Sequence, residues 1–142
     1  MSSIDVLLAD DNVADARLAV EAMDLSALSA NVHVVGTGQE AIAFLKREDP
    51  HLQAPRPCVV LLDWRMPQQD GHDVLRIVRT DPALKFLPVV VFTGSDSRVD
   101  ARAAYEAGAN CYVRKPNDFE EYLAVVQEIV TFWCRRVIAP AD

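Results

Sequence analysis

No apolar stretch of this 142-residue chain approaches the roughly 20 residues that a membrane-spanning helix needs. The apolar run at 4–9 lacks a basic flank and runs into two aspartates, so it is not expected to be a signal peptide. A cytoplasmic protein without a membrane role is the expectation. Basic charge is also short. Fourteen Lys and Arg stand against 21 Asp and Glu, for a net charge of −7. A duplex-binding surface needs a basic stripe to displace counterions from phosphates, and Arg135-Arg136 is too short to be one, so no nucleic-acid partner is expected. Cysteine is scarce. Cys58, Cys111 and Cys134 are odd in number, form no CxxC and sit in apolar runs, which predicts reduced packing thiols. His33, His51 and His72 lack ligand spacing and read as structural or exposed. There is no GxxxxGK[ST] phosphate loop.

What is present is an alternation of short β-branched runs and helical periodicity, five times over. Strands are predicted at 4–9, 32–35, 58–62, 88–92 and 111–113. Helices are predicted at 14–25, at 38–47, around 74–79, at 99–107 with Gly108 as the stop, and from the cap Asp118 toward Trp133. Strands that are apolar throughout are buried on both faces, and their alternation with helices implies parallel pairing through right-handed crossovers. The predicted fold is α/β, a doubly wound five-stranded parallel sheet of flavodoxin-like (βα)5 type, order 2-1-3-4-5. Residues 48–57 hold three prolines and read as a loop, not a linker; residues 118–138 read as a C-terminal helix and extension. One domain is expected over 1–142, without an output domain.

In an open parallel sheet, ligands bind beyond the carboxyl ends of the strands, where the strand order reverses. The first predicted strand ends in Asp10-Asp11, the third in Asp63, the fourth in Thr93 and the fifth in Arg114-Lys115-Pro116. Taken singly, an aspartate at a strand end is usually a turn or cap residue and a Lys-Pro pair is usually loop. Taken together, they put three carboxylates, a hydroxyl and an ammonium on one edge. Carboxylate oxygens suit Mg²⁺, which takes one or two of them plus waters and a phosphate. Packed carboxylates without a cation repel one another. Lys115 offers a compact positive charge to phosphoryl oxygens, Thr93 a hydrogen bond, and Asp63 a nucleophile able to form an acyl phosphate.

The segment Gly36-Thr37-Gly38-Gln39-Glu40-Ala41 fits G-x-G-x-x-A, but it follows the second strand rather than the first. A dinucleotide site is therefore not expected. The motifs VLLADDN (6–12), VVLLDWRMPQQDG (59–71), VVVFTGS (89–95) and GANCYVRKP (108–116) together resemble the receiver domains of two-component response regulators over nearly the whole chain. The DNVADARL start (11–18), the proline-rich segment and Phe132-Trp133 resemble the small single-domain regulators partnered with phytochrome-type histidine kinases.

The resemblance implies roles. Asp63 is the expected phosphoacceptor. Asp11 is an expected direct Mg²⁺ ligand, with Asp10 acting through water, the Arg65 backbone carbonyl completing the set, and Mn²⁺ as a substitute. Thr93, Gly94 and Lys115 are expected at the phosphoryl group, with Thr93 and Tyr112 as the switch pair. Met66-Pro67 and Gly71 shape the loop after Asp63, and Lys115-Pro116 is expected to be cis. Arg65 and Gly94 depart from the common residues at their positions. The long Arg65 side chain is expected to overhang the site and to affect the lifetime of the phosphorylated state. The expected partner is a sensor histidine kinase of the bacteriophytochrome type. The protein would act on itself rather than turn over a substrate, signalling through the face formed by helix four, strand five and helix five. Tyr122, Val125, Ile129 and Phe132 of the last helix exceed one buried stripe, which predicts a homodimer face extended by Val137-Ile138. Two other classes fit the residues less well. A pseudo-receiver that only binds proteins would not need the intact Asp10, Asp11, Asp63, Thr93 and Lys115 set. A dehalogenase-like phosphatase needs an acid where Arg65 stands.

Overall fold

The computed structural model describes residues 4–140. Its strands follow from runs too apolar for any surface. β3 (Val59–Leu62) and β4 (Val89–Thr93) are buried at every position, and β1 (Ile4–Ala9) is buried from Val6 onward. β2 (Ala30–Val35) and β5 (Cys111–Arg114) are less covered, as edges are. All pairings are parallel in the order β2-β1-β3-β4-β5, with Leu7 opposite Val60, Leu62 opposite Val91 and Thr93 opposite Arg114. The predicted sheet is thus observed.

Period-two alternation divides the core into two layers. Leu7, Ala9, Val60, Leu62, Val89 and Val91 face α2 (Gly38–Lys46), α3 (Gly71–Thr80) and Ala104 of α4 (Arg98–Glu106). Val6, Leu8, Val59, Leu61, Val90 and Phe92 face α1 (Val13–Asp24) and α5 (Phe119–Thr131). Each of the five α-helices opens on a side-chain cap: Asn12, Thr37, Asp70, Ser97 and Asp118 each accept from the backbone N–H three residues on. Such a cap contributes about 1 kcal/mol. Gly108 (φ +104°) ends the α4 segment, and a side chain there would also meet Arg79. No helix among the described residues is long and apolar enough to cross a membrane.

Three expectations need correction. Cys58 and Cys134, expected as separate thiols, form a disulfide, while Cys111 stays free. The cause is tertiary. α5 runs into a π-helical turn (Phe132–Arg136) that lays Cys134 over the start of β3, bringing the two Cα atoms to 5.5 Å across 76 residues of sequence. That separation lies within the span of natural bridges. Next, the apolar face predicted on the last helix is largely not a free face. Tyr122 and Ile129 are buried with Val126 and Val130, and Val125 is half-buried, while Phe132 stays exposed. α5 packs against both the sheet and α1, so its covered arc is wider than one stripe. Finally, Lys115-Pro116 is trans; the cis X-Pro bond among the described residues is Asp49-Pro50. Trans is the intrinsically favoured isomer, and from it Lys115 makes both its ladder bond to Thr93 and its ion pairs.

Candidate acidic site at the carboxyl edge

Each chemistry-bearing side chain is delivered by the ladder beneath it. The Asp10 N–H donates to the Val35 carbonyl (3.0 Å), and the Asp63 N–H donates to the Ala9 carbonyl (2.9 Å), which sets the two aspartates side by side. Thr93 closes β4, and its carbonyl accepts from the Lys115 N–H (2.7 Å). Carboxylate oxygens of Asp10, Asp11 and Asp63 come within 4.8 Å of one another. Asp10, Asp63, Thr93 and Lys115 are buried; Asp11 opens to solvent.

Lys115 is the cation of this cluster. Its Nζ lies 2.7 Å from Asp10 Oδ2, 2.9 Å from Asp15 Oδ2 and 3.5 Å from Asp63 Oδ2. Burial alone would lower the ammonium's pKa. Its hydrogen bonds to Asp10 and Asp15, with the charges of Asp10 and Asp63, outweigh burial and raise it. Asp10 is held above the ordinary carboxylate value, chiefly by burial and in part by the charge of Asp63, although Lys115 and the Asn12 N–H pull it down. Three carboxylates, those of Asp10, Asp15 and Asp63, therefore face one ammonium, and Asp11 stands beside Asp10 and Asp63. The donors are all oxygens, and one of the carboxylates is open to water, a set suited to a hard divalent cation rather than to a soft one.

The loop after Asp63 is kept tight by contact. A side chain on Gly71 would lie 2.8 Å from the Asp63 carbonyl and 2.9 Å from the Trp64 ring, so glycine is required there. Trp64 is buried, edge-on to His72.

The sequence profile of the response regulator receiver domain matches residues 6–127. The chain belongs to the response regulator receiver family. It is 37% identical to response regulator Rcp1 of Synechocystis sp. over 136 residues, covering 96% of this chain and 92% of Rcp1. Among solved structures, it matches the phosphorylated cyanobacterial phytochrome response regulator RcpA with TM-score 0.92 and 35% identity, covering 99% of this chain and 100% of that one. The Mn²⁺-bound form of Rcp1 matches with TM-score 0.88 and 36% identity, covering 97% and 99%.

In this receiver domain the remaining expected residues fall as follows. Arg65 pairs through its guanidinium with Asp100 in the first turn of α4 (3.0 Å). Asp100 also accepts from the Ser95 hydroxyl (3.2 Å), and the Ser95 carbonyl accepts from the Tyr112 hydroxyl (3.0 Å). Tyr112 is thus joined to the loop that follows Thr93. A side chain on Gly94 would meet nothing within 4 Å, so glycine there is not a steric requirement. The G-x-G-x-x-A segment has a structural use. The Gly38 and Gln39 N–H groups donate to the Pro67 and Gln68 carbonyls, and Gln69 packs where a Gly38 side chain would stand. Those donors are spent on the loop after Asp63. Asp15 and Asp100 escaped the sequence reading. Both are acidic residues in the first turn of a helix, where helix-end electrostatics are a sufficient reason for acid, and only the fold brings them to Lys115 and Arg65.

Proposed function

We propose that the protein is a phosphoacceptor of a two-component pathway, taking a phosphoryl group on Asp63 from the phosphohistidine of a sensor kinase. A carboxylate oxygen of Asp63 attacks phosphorus in line, the P–N bond breaks, and the ring nitrogen leaves with the electron pair. Lys115, 3.5 Å from Asp63, supplies positive charge to the transferred oxygens, with the Thr93 hydroxyl and Gly94 N–H as further donors. Asp10, Asp11 and Asp63, with the Arg65 carbonyl, would hold Mg²⁺, or Mn²⁺ in its place. The bound cation would relieve carboxylate repulsion and neutralise phosphoryl charge. The observation that carries this reading is the gathering of three carboxylates within 4.8 Å beside a buried lysine. The phosphorylated RcpA and Mn²⁺-bound Rcp1 structures support it. The protein would modify itself and not turn over a substrate.

The likeness to RcpA, a phytochrome response regulator, supports a phytochrome-type histidine kinase as partner. Phosphate at Asp63 would draw Thr93 inward, and Tyr112, tied to Ser95, would relay the change to the α4–β5–α5 face. A homodimer would draw on Phe132 and Ile138, which stay exposed.

The test is intact mass after incubation with acetyl phosphate and Mg²⁺. One phosphoryl group is expected, absent from Asp63→Asn and absent without the cation. No mass gain in folded protein with any donor would overturn the reading.

A further inference from the structure

Lys115 has three carboxylate partners, and two of them are claimed by other chemistry. Asp10 and Asp63 belong to the oxygen cluster that fits a cation, and Asp63 is the proposed acceptor; Asp15 belongs to neither. Asp15 is also held at three points. Its N–H donates to Asn12 Oδ1 (3.1 Å), its carboxylate binds Lys115 (2.9 Å), and its carbonyl accepts from the Tyr122 hydroxyl (2.9 Å). Tyr122 is anchored in the α5 core, so Asp15 cannot drift with the helix end. An acid that served only the α1 dipole could leave its side chain in solvent. This one is 27% exposed and turned onto the ammonium.

We propose that Asp15 is a positioning residue for Lys115, keeping its ammonium beside Asp63 while Asp10 is engaged elsewhere. The inference rests on the proposed roles of Asp63 and Lys115. A lysine ammonium is a point charge on a flexible four-carbon stem with three donors. One donor fixed by Asp15 leaves two for the acceptor and the arriving phosphoryl oxygens. A cation in place before the reaction need not be reorganised during it. Without Asp15, the shortest remaining contact of Lys115 is to Asp10, and the ammonium would follow that carboxylate. Asp15 also adds negative charge near an anionic donor. Its removal would ease donor binding while slowing the bound step, so the two effects separate between half-saturating concentration and saturating rate.

The test is the rate of Asp63 phosphorylation by acetyl phosphate in Mg²⁺, followed by intact mass, in full-length variants shown to be folded by circular dichroism. Asp15→Ala is expected to lower the saturating rate about tenfold. Asp15→Asn, which disturbs the helix end least, should lower it by a smaller factor. In a Lys115→Ala background, neither change should slow the reaction further. A saturating rate at or above wild type in both Asp15 variants, or equal slowing with and without Lys115, would overturn the proposal. A second arm needs no phosphate donor. Acylation of Lys115 by acetic anhydride in Mg²⁺, read by peptide mass, should be several-fold faster in Asp15→Ala than in wild type. Equal labelling would also overturn it. If the wild-type protein takes no phosphate, the phosphoacceptor reading falls, and the labelling arm alone decides the position of Lys115.

Discussion

The two ends of the strands are built on opposite principles. At the amino ends the structure is closed by packing and a covalent bridge: Pro57 is buried and Cys58 is joined to Cys134. At the carboxyl ends lie all four buried polar or charged residues among those described, Asp10, Asp63, Thr93 and Lys115. Between them run apolar rungs such as Val60, Leu61, Val90 and Phe92. The rungs contribute stability through volume and exclusion of water. The carboxyl edge instead holds like charges together around one lysine, an arrangement that favours a bound cation more than it favours the fold.

The largest effect that sharpens this contrast comes from the rungs. Phe92 is the largest side chain with almost no exposure, packed against Tyr122 at 5.4 Å between ring centroids. Phe92→Ala should cost about 3–5 kcal/mol in urea unfolding. Asp63→Asn, one strand away, should change stability by less than about 1 kcal/mol while abolishing phosphoryl uptake. A large loss from Asp63→Asn would mean that the acidic edge is a structural element after all. Next in size is Lys115→Ala. It leaves Asp10 and Asp63 buried without their cation, at about 3 kcal/mol. Mg²⁺ should then stabilise the variant more than wild type, because the cation takes over the neutralisation that Lys115 supplied. Equal Mg²⁺ stabilisation of both proteins would break the comparison.

The same contrast explains what could be read from sequence. VVLL and VVVF admit only buried strands, and once the strands are placed, their ends place Asp10, Asp11, Asp63, Thr93 and Lys115 on one edge. Local pattern and a topological rule suffice for that placement, without packing detail. Asp15 needs the rotation of α1 about its axis, which the sequence does not encode locally. Tyr122 and Ile129 exceed the single stripe that periodicity assigns to a surface helix, whereas α5 is covered from two sides. The Cys58–Cys134 bridge depended on a π-helical turn at the end of α5, and no periodicity announces such a turn. A cis Lys115-Pro116 bond rests on resemblance alone, and no local constraint in the sequence demands it.

The amino-end bridge provides the third test. Cys134→Ser opens a crosslink between residues 76 apart and should cost about 2 kcal/mol or more in stability. The rate of phosphoryl uptake should not change, since Cys134 lies at the opposite end of the strands from Asp63. Urea midpoints that agree with and without reductant in wild type would show that the bridge adds nothing. A slowed rate in Cys134→Ser would show that the two ends are coupled.

The smallest expected effect on stability lies at Arg65 and Asp100. Their pair is formed by an arginine side chain 72% exposed, so Asp100→Ala should cost less than about 1 kcal/mol. Its interest is kinetic. Asp100 holds the Arg65 guanidinium at the first turn of α4, so its loss frees a long cation two residues from the proposed acceptor Asp63. An arginine there can bind phosphoryl oxygens bidentately and obstruct an attacking water. Asp100→Ala should therefore lengthen the life of phosphorylated Asp63, and Arg65→Ala should shorten it, both measured as loss of the phosphoryl mass after donor removal. In the double variant the effect of Asp100→Ala should vanish, because Asp100 acts on that lifetime through Arg65. Persistence of the lengthening without Arg65 would instead place the effect in Ser95 and the loop after Thr93, which Asp100 also holds.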